Sequence, residues 1–247
     1  MIEVQVQSTV DGAILHDAAL GVAPDAGWFE PGRWPLAADA DTSGRGGVPF
    51  LVTPIGTCAL RHYRRGGLVA RLVADRYLWT GAERTRAFRE FRLLAMLAGA
   101  GLPVARPVAA RYVRKGPSYR ADLLTRRIEK ARTLARQLED GGATATLAAR
   151  VGETIACFHV AGAWHADLNA NNIMIDEGGT VWLIDFDRGR LRGPHASWQQ
   201  ANLARLRRSL AKLGLDRGDE FEPRFWKPLL QAHRERLGAG GAVGATR

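Results

Sequence analysis

HADLNANNIMID, residues 165–176, and VWLIDFD, residues 181–187, are separated by four residues that begin Glu177-Gly178-Gly179. Their apolar runs predict two short strands, 173–176 and 181–186, joined by a tight turn. Three polar side chains hang on this frame. Asp167 and Asn172 are five positions apart, and Asp185 stands eighteen beyond Asp167, where the second apolar run ends. A carboxylate leaving a buried strand is costly unless water or a cation meets it. A carboxamide and a carboxylate on adjacent strand ends can together bind Mg²⁺ through oxygen. A further acid kept off the metal can accept the proton of an incoming hydroxyl.

That division of labour is the kinase one. The pattern H-R-D-L-x-x-x-N followed by D-F-G is met here by His165-Ala166-Asp167-Leu168 with Asn172, then Asp185-Phe186-Asp187. Asp167 is the candidate catalytic residue, Asn172 and Asp185 are the candidate metal ligands, and ATP with Mg²⁺ is the expected donor. His165 is expected to orient the loop by hydrogen bonding. Ala166 stands where an arginine often pairs with a phosphorylated activation loop, and no A-P-E follows Asp187. Both departures favour a small-substrate kinase over a phosphorylation-regulated protein kinase. Asp187 is either a second metal-facing carboxylate or an ion-pair partner of Arg188 or Arg190.

Upstream, SGRGG (43–47) is a glycine-rich loop just ahead of two predicted strands, 48–53 and 57–63. Its Gly44, Gly46 and Gly47 allow backbone amides to approach phosphates closely. Arg61 occupies the place of the usual strand lysine, and an arginine fork is not equivalent to an ammonium. Glu90, in the predicted helix of AFREFRLL, is its expected partner; Glu83, nearer the helix start, is the competitor. A helix is also predicted over the basic stretch that holds Leu68, Leu72 and Val73. Strands near 108–113 and 118–128 follow, then a helix in ARTLARQLED, a buried helix over 146–162, and a basic helix in SWQQANLARLRRSLAKLG as the last firm element. The fold class predicted is α+β, a protein-kinase-like bilobal fold. Residues 1–128 form a β-rich N-terminal lobe and 129–237 a reduced, mainly helical catalytic lobe, with a cleft between them. Residues 238–247 are expected to be a disordered tail.

The chain has 247 residues, 46% hydrophobic and 24% charged, enough for one large domain or two lobes with a real core. Two cysteines, Cys58 and Cys157, form neither a metal cluster nor a disulfide framework. No signal segment and no membrane-spanning run is expected. Charge is uneven: residues 1–60 carry two Lys/Arg against seven Asp/Glu, whereas residues 61–247 carry 33 against 18. Such a body attracts anions, whether nucleotide, nucleic acid or anionic lipid. The stretch with Arg61, His62, Arg64, Arg65, Arg71 and Arg76 is read as an anionic-acceptor or membrane surface, or as a solvated face. Arg205, Arg207 and Arg208 form a second basic surface open to the same three readings. No regular aromatic–basic pattern appears, so no nucleic-acid partner is expected.

The stretches LRHYRRGGLVARL, DRYLW, REFRLL, GLPVARPVAA, YRADLLTRRI, WHADLNANNIMI and VWLIDFDRGR cover most of residues 43–215. Through them the chain resembles the 3-deoxy-D-manno-octulosonic acid (Kdo) kinases, within the lipopolysaccharide core kinase group of the protein-kinase-like superfamily. The resemblance implies ATP-dependent phosphorylation of the 4-hydroxyl of a Kdo residue on Kdo-lipid IVA. It also implies a peripheral location on the cytoplasmic side of the cell inner membrane. It implies Asp167 as the catalytic aspartate and Asn172 and Asp185 as the metal ligands. Rival readings are a kinase of a heptose, another sugar or an aminoglycoside, and a non-catalytic anion- or membrane-binding module. The last gives no reason for Asp167, Asn172 and Asp185.

Overall fold

The computed structural model describes residues 1–37, 48–64 and 75–244. The glycine-rich loop with Gly44, Gly46 and Gly47, the predicted basic helix and Arg65 and Arg71 lie outside the described residues. The chain divides into two compact units: residues 1–100 with 105–127, and residues 101–104 with 128–247.

The first unit is β-rich. Its strands are β1 (Val4–Ser8), β2 (Gly12–Asp17), β3 (Phe50–Thr53), β4 (Gly56–His62), β5 (Tyr77–Leu78), β6 (Pro107–Lys115) and β7 (Ser118–Arg126), with helix α1 (Arg86–Gly99) between β5 and β6. They form one sheet in the order β1-β2-β6-β7-β4-β3, with β5 also on β7. The β1–β2 hairpin was not predicted. Its first strand, VQVQS, is exposed along its whole length, so no buried apolar set announces it.

Alternation sends the strand residues to two faces. Leu60 of β4 joins Ile14, Leu51, Cys58 and Leu124 in a core capped by Trp28 and Phe29, which sit on a 3₁₀ turn, Ala26–Phe29. Arg61 is adjacent in sequence and takes the opposite parity. Helix α1 buries Phe88, Phe91, Leu94 and Leu97 against β6 and β7, with Phe88 edge-on to Tyr112 at 5.2 Å. Burying four such side chains contributes on the order of 6–12 kcal/mol before chain entropy is counted.

The second unit is mainly helical. It contains β8 (Arg132–Thr133), α2 (Leu134–Glu139), α3 (Ala145–Val160), β9 (Ala163–Trp164), β10 (Ile173–Ile175), β11 (Val181–Leu183), β12 (Arg190–Leu191), α4 (Ala196–Leu213) and α5 (Lys227–Gly244). Strands β11-β10-β8 form a small antiparallel sheet, and β12 pairs with β9. Together the β-rich first unit and the mainly helical second unit are the two parts of a bilobal protein-kinase-like fold.

Three expectations are corrected here. ARTLARQLED is not one helix: Arg132–Thr133 pair with β10, and Thr133 caps a helix that starts at Leu134. The second apolar run stops being a strand at Leu183, two residues before Asp185. The last helix is α5, reached through a π-helical turn at Glu222–Trp226, and it continues to Gly244 across the expected tail. Phe225, Trp226, Leu229 and His233 are buried there, and a helix fixed by such packing extends cheaply through following residues. Helices α3 and α5 cross so closely that a Cβ on Gly152 would lie 2.2 Å from the carbonyl oxygen of Leu229.

Candidate active site

The loop after β9 is fixed from beneath and open above. His165 is 2% exposed. Its Nε2–H donates to the carbonyl of Ile184 (2.9 Å), and its Nδ1 accepts from the backbone N–H of Asp167 (3.1 Å). These two bonds require the neutral Nε2–H tautomer. Burial holds the His165 pKa below the usual histidine value, against the bond to Ile184. Asn202 of α4, also buried, brackets the same residue: its Nδ2 donates to the His165 carbonyl (2.8 Å) and its Oδ1 accepts from the His165 N–H (3.4 Å). Asn169 accepts from the N–H groups of Asn171 and Asn172 and donates to the Asp167 carboxylate at 3.1 Å. Ser209 accepts from the N–H of Ala170. On this frame the Asp167 side chain is 65% exposed, with Arg205 3.8 Å away. That pair is wet and loose, and is worth little energetically.

Ile184 draws the other two residues in. Its N–H donates to the carbonyl of Asn172 (3.0 Å) while its own carbonyl takes the His165 bond, and Asp185 is the next residue. Asn172 in turn donates its Nδ2 to the carbonyl of Asp167 (2.9 Å). The structure therefore brings Asp167, Asn172 and Asp185 into one locality. Asp185 has φ 61°, in the left-handed region, which costs a non-glycine residue about 1–2 kcal/mol. The turn places Asp185 at the surface and drives Phe186 inward, where it is 1% exposed and packs on Phe158 (5.6 Å) and His165 (4.7 Å). Asp185 accepts from the N–H of Asp187 at 3.3 Å.

The donor set suits a hard cation. Asn172 has its amide nitrogen engaged, so its amide oxygen is the atom suited to a metal, and Asp185 adds a carboxylate. No group of three or more His, Cys, Asp or Glu that could hold a metal occurs among the described residues. Two protein oxygens match an ion such as Mg²⁺, which keeps waters and binds substrate phosphates.

In the first unit, Arg61 of β4 and Glu90 of α1 form an ion pair, and Glu90 is 3% exposed. Tyr63 donates to the same carboxylate at 2.5 Å and lies 4.5 Å under the Arg61 guanidinium. Burial, reinforced by the Glu90 charge, pushes the Tyr63 phenol well above its ordinary pKa, so it remains a donor. Glu83, the competitor, instead binds Arg92 through two bonds of 2.6 and 2.8 Å.

The two basic surfaces are partly neutralised. Asp122, buried, takes His62 on one oxygen (2.6 Å) and the Arg111 fork on the other (2.9 and 2.8 Å). The bond to Asp122 is the main reason the His62 pKa is raised. These residues line a hollow of about 350 Å³ with Arg61, Arg64 and Phe29. Arg207 is not a solvated surface charge: its guanidinium lies over Phe221 (4.8 Å) and Trp226 (5.2 Å) and pairs with Glu222 at 3.3 Å. Asn202, Ser209 and Asn169 escaped the sequence reading. Asn169 sits inside the quoted motif, but Asn202 and Ser209 lie on a helix over thirty residues away and carry no local signal.

With this geometry in place, comparison with known proteins is decisive. Residues 33–232 match the Lipopolysaccharide kinase (Kdo/WaaP) family. The chain belongs to this family. It is 49% identical over 230 residues to the 3-deoxy-D-manno-octulosonic acid kinase of Xanthomonas campestris pv. campestris (strain B100), covering 93% of this chain and 92% of the relative. The protein of the same name from Xanthomonas axonopodis pv. citri (strain 306) is 48% identical over the same coverage. The one from Stenotrophomonas maltophilia (strain K279a) is 46% identical over 223 residues, 90% of this chain and 89% of the relative. Membership implies an ATP- and Mg²⁺-dependent kinase mechanism acting on a lipid-linked sugar. No helix among the described residues is long and apolar enough to cross a membrane.

Proposed function

We propose that this protein transfers the γ-phosphoryl group of ATP to the 4-hydroxyl of a Kdo residue in Kdo-lipid IVA during lipopolysaccharide core assembly. The observation that carries the reading is the exposed Asp167 carboxylate on a loop anchored through His165, with Asn172 and Asp185 tied to that loop through Ile184. The relatives named above, similar along almost their whole length, supply the acceptor.

Asp167 orients the sugar hydroxyl and takes up its proton as the oxygen bonds to the γ-phosphorus and ADP leaves. The neighbouring Asn169 side chain holds the carboxylate in place. Asn172 and Asp185 are the proposed metal ligands, and Mg²⁺ held there would neutralise charge on the transferring phosphates. Arg61, oriented by Glu90, serves as the phosphate-binding cation where a lysine is usual. Gly44, Gly46 and Gly47 are assigned to the phosphates from sequence position. Catalysis then rests on positioning and charge stabilisation, as phosphoryl transfer requires.

The basic composition from residue 61 onward supports a peripheral seat on the cytoplasmic face of the inner membrane, where acceptor and surface are both anionic. Parallel assays with labelled ATP, offering Kdo-lipid IVA and heptosylated acceptors, test the substrate. Transfer to the Kdo lipid is expected; transfer to a heptose acceptor alone would refute it.

A further inference from the structure

The ribbon that flanks the Asp167 loop carries a group of cations with no assigned task. Strand β12 pairs antiparallel with β9, Arg190 opposite Trp164 and Leu191 opposite Ala163. Trp164 precedes Asp167 by three residues, and Arg190 follows Asp187 by three. The guanidinium of Arg192 lies 4.0 Å from the centre of the Trp164 ring, and that of Arg190 lies 4.9 Å from it. Among the described residues neither arginine is paired with a carboxylate. Arg205, by contrast, is already beside the Asp167 carboxylate at 3.8 Å.

The ribbon is also built to hold this arrangement. The N–H of Arg192 donates to the carbonyl of Gly162 at 2.8 Å. Gly162 has φ 72°, and a Cβ there would lie 2.4 Å from the carbonyl oxygen of Arg192. Only glycine allows this close approach without displacing the backbone. Stacking on an indole restricts two long side chains and leaves their N–H edges available, which lowers the entropy lost on binding an anion.

We propose that Arg190 and Arg192, stacked on Trp164, form the subsite for the carboxylate of the sugar-acid acceptor. The inference rests on the function proposed above. A Kdo residue is an octulosonic acid, so it brings a carboxylate of its own to the site, and a cationic pair is the group that complements such an anion. Arginine forks match a carboxylate in two parallel hydrogen bonds.

The test compares the Kdo-lipid acceptor with its methyl ester at the sugar carboxyl, using the full chain, Mg-ATP and steady-state kinetics. Charge-assisted pairs of this kind support an expected rise of about 10- to 100-fold in the wild-type KM for the ester. Arg190→Ala with Arg192→Ala should raise the KM for the acid by a similar factor, leave the KM for ATP unchanged and remove discrimination between acid and ester. Arg192→Lys should restore part of the affinity. The acid–ester comparison needs no variant, so a folding defect in the double variant cannot rescue the idea. Equal KM values for acid and ester in the wild type would overturn the subsite. If the variants weakened acid and ester equally, the arginines would serve another anion, and the carboxylate assignment would fall. Absence of wild-type transfer to any Kdo acceptor would instead refute the functional reading, and the subsite with it.

Discussion

At the scale of single residues, the roles proposed for Asp167 and Asp185 rest on different surroundings, which predict separable failures. The Asp167 side chain is exposed and makes one bond to Asn169 and a loose, solvated pair with Arg205, so Asp167→Ala should leave the thermal midpoint within a degree or two. Loss of a proton-accepting, orienting group typically costs 10²–10⁴-fold, and kcat should fall by about that factor. Steady-state kinetics beside a calorimetric melt checks both. Asp185 differs because it sits in the left-handed region. Asp185→Gly removes that strain, so the fold should be unchanged or up to about 1 kcal/mol more stable while turnover collapses. A variant that loses both stability and activity would contradict the view that this carboxylate is held at a strained position for function. His165 ties the loop together: a buried neutral imidazole bridges Ile184 and Asp167, and protonating it would place a second donor against the Asp167 N–H.

At the scale of elements, the quoted stretch was legible because its chemistry is local in sequence. The spacing of Asp167, Asn172 and Asp185 is set by a short hairpin, and hairpin strands advertise themselves by apolar runs. Arg61 and Glu90 were legible from the order of strand and helix. The end of β11 was not, since the turn that re-aims Asp185 is imposed by Phe186 seeking Phe158, a tertiary contact. Asn202 and α5 were missed for the same reason: a polar residue on an amphipathic helix looks the same whether it faces water or clamps a backbone. Gly152 is another such case, an apparent helix weakener whose absent Cβ allows α3 and α5 to touch. Gly152→Ala should destabilise the protein by about 1–3 kcal/mol, despite the higher helix propensity of alanine, because backbone has to move. Urea unfolding of the variant decides it, and a gain in stability would show that the crossing is looser than described.

At the scale of the whole molecule, charge and burial set how the protein responds to pH. His159 and His233 meet at 2.9 Å between α3 and α5. Burial lowers their pKa values to about 3 and about 4. Both bind protons more readily when unfolded. Their contribution is therefore fully present above about pH 6.5 and is lost as pH falls toward 4, at roughly 1.4 kcal/mol per pH unit for each. His62 acts with the opposite sign, since its raised pKa gives stability that is present at low pH and lost as pH rises through its folded value. His16 and His165, whose pKa values burial also lowers, act in the same direction as the pair. The lowered groups outnumber the raised one, so urea midpoints should drop between pH 7 and pH 5, and a rise over that window would contradict the buried neutral histidines. The same basic molecule is proposed to bring a nucleotide, an anionic sugar and a membrane surface together, and all of that depends on one reaction. Mass spectrometry of Kdo-lipid IVA after incubation with Mg-ATP measures it directly. The account predicts one added phosphate that fragmentation places on the Kdo ring at its 4-position, present with wild type and absent with Asp167→Ala. An unmodified lipid, or the same product from both proteins, would contradict it.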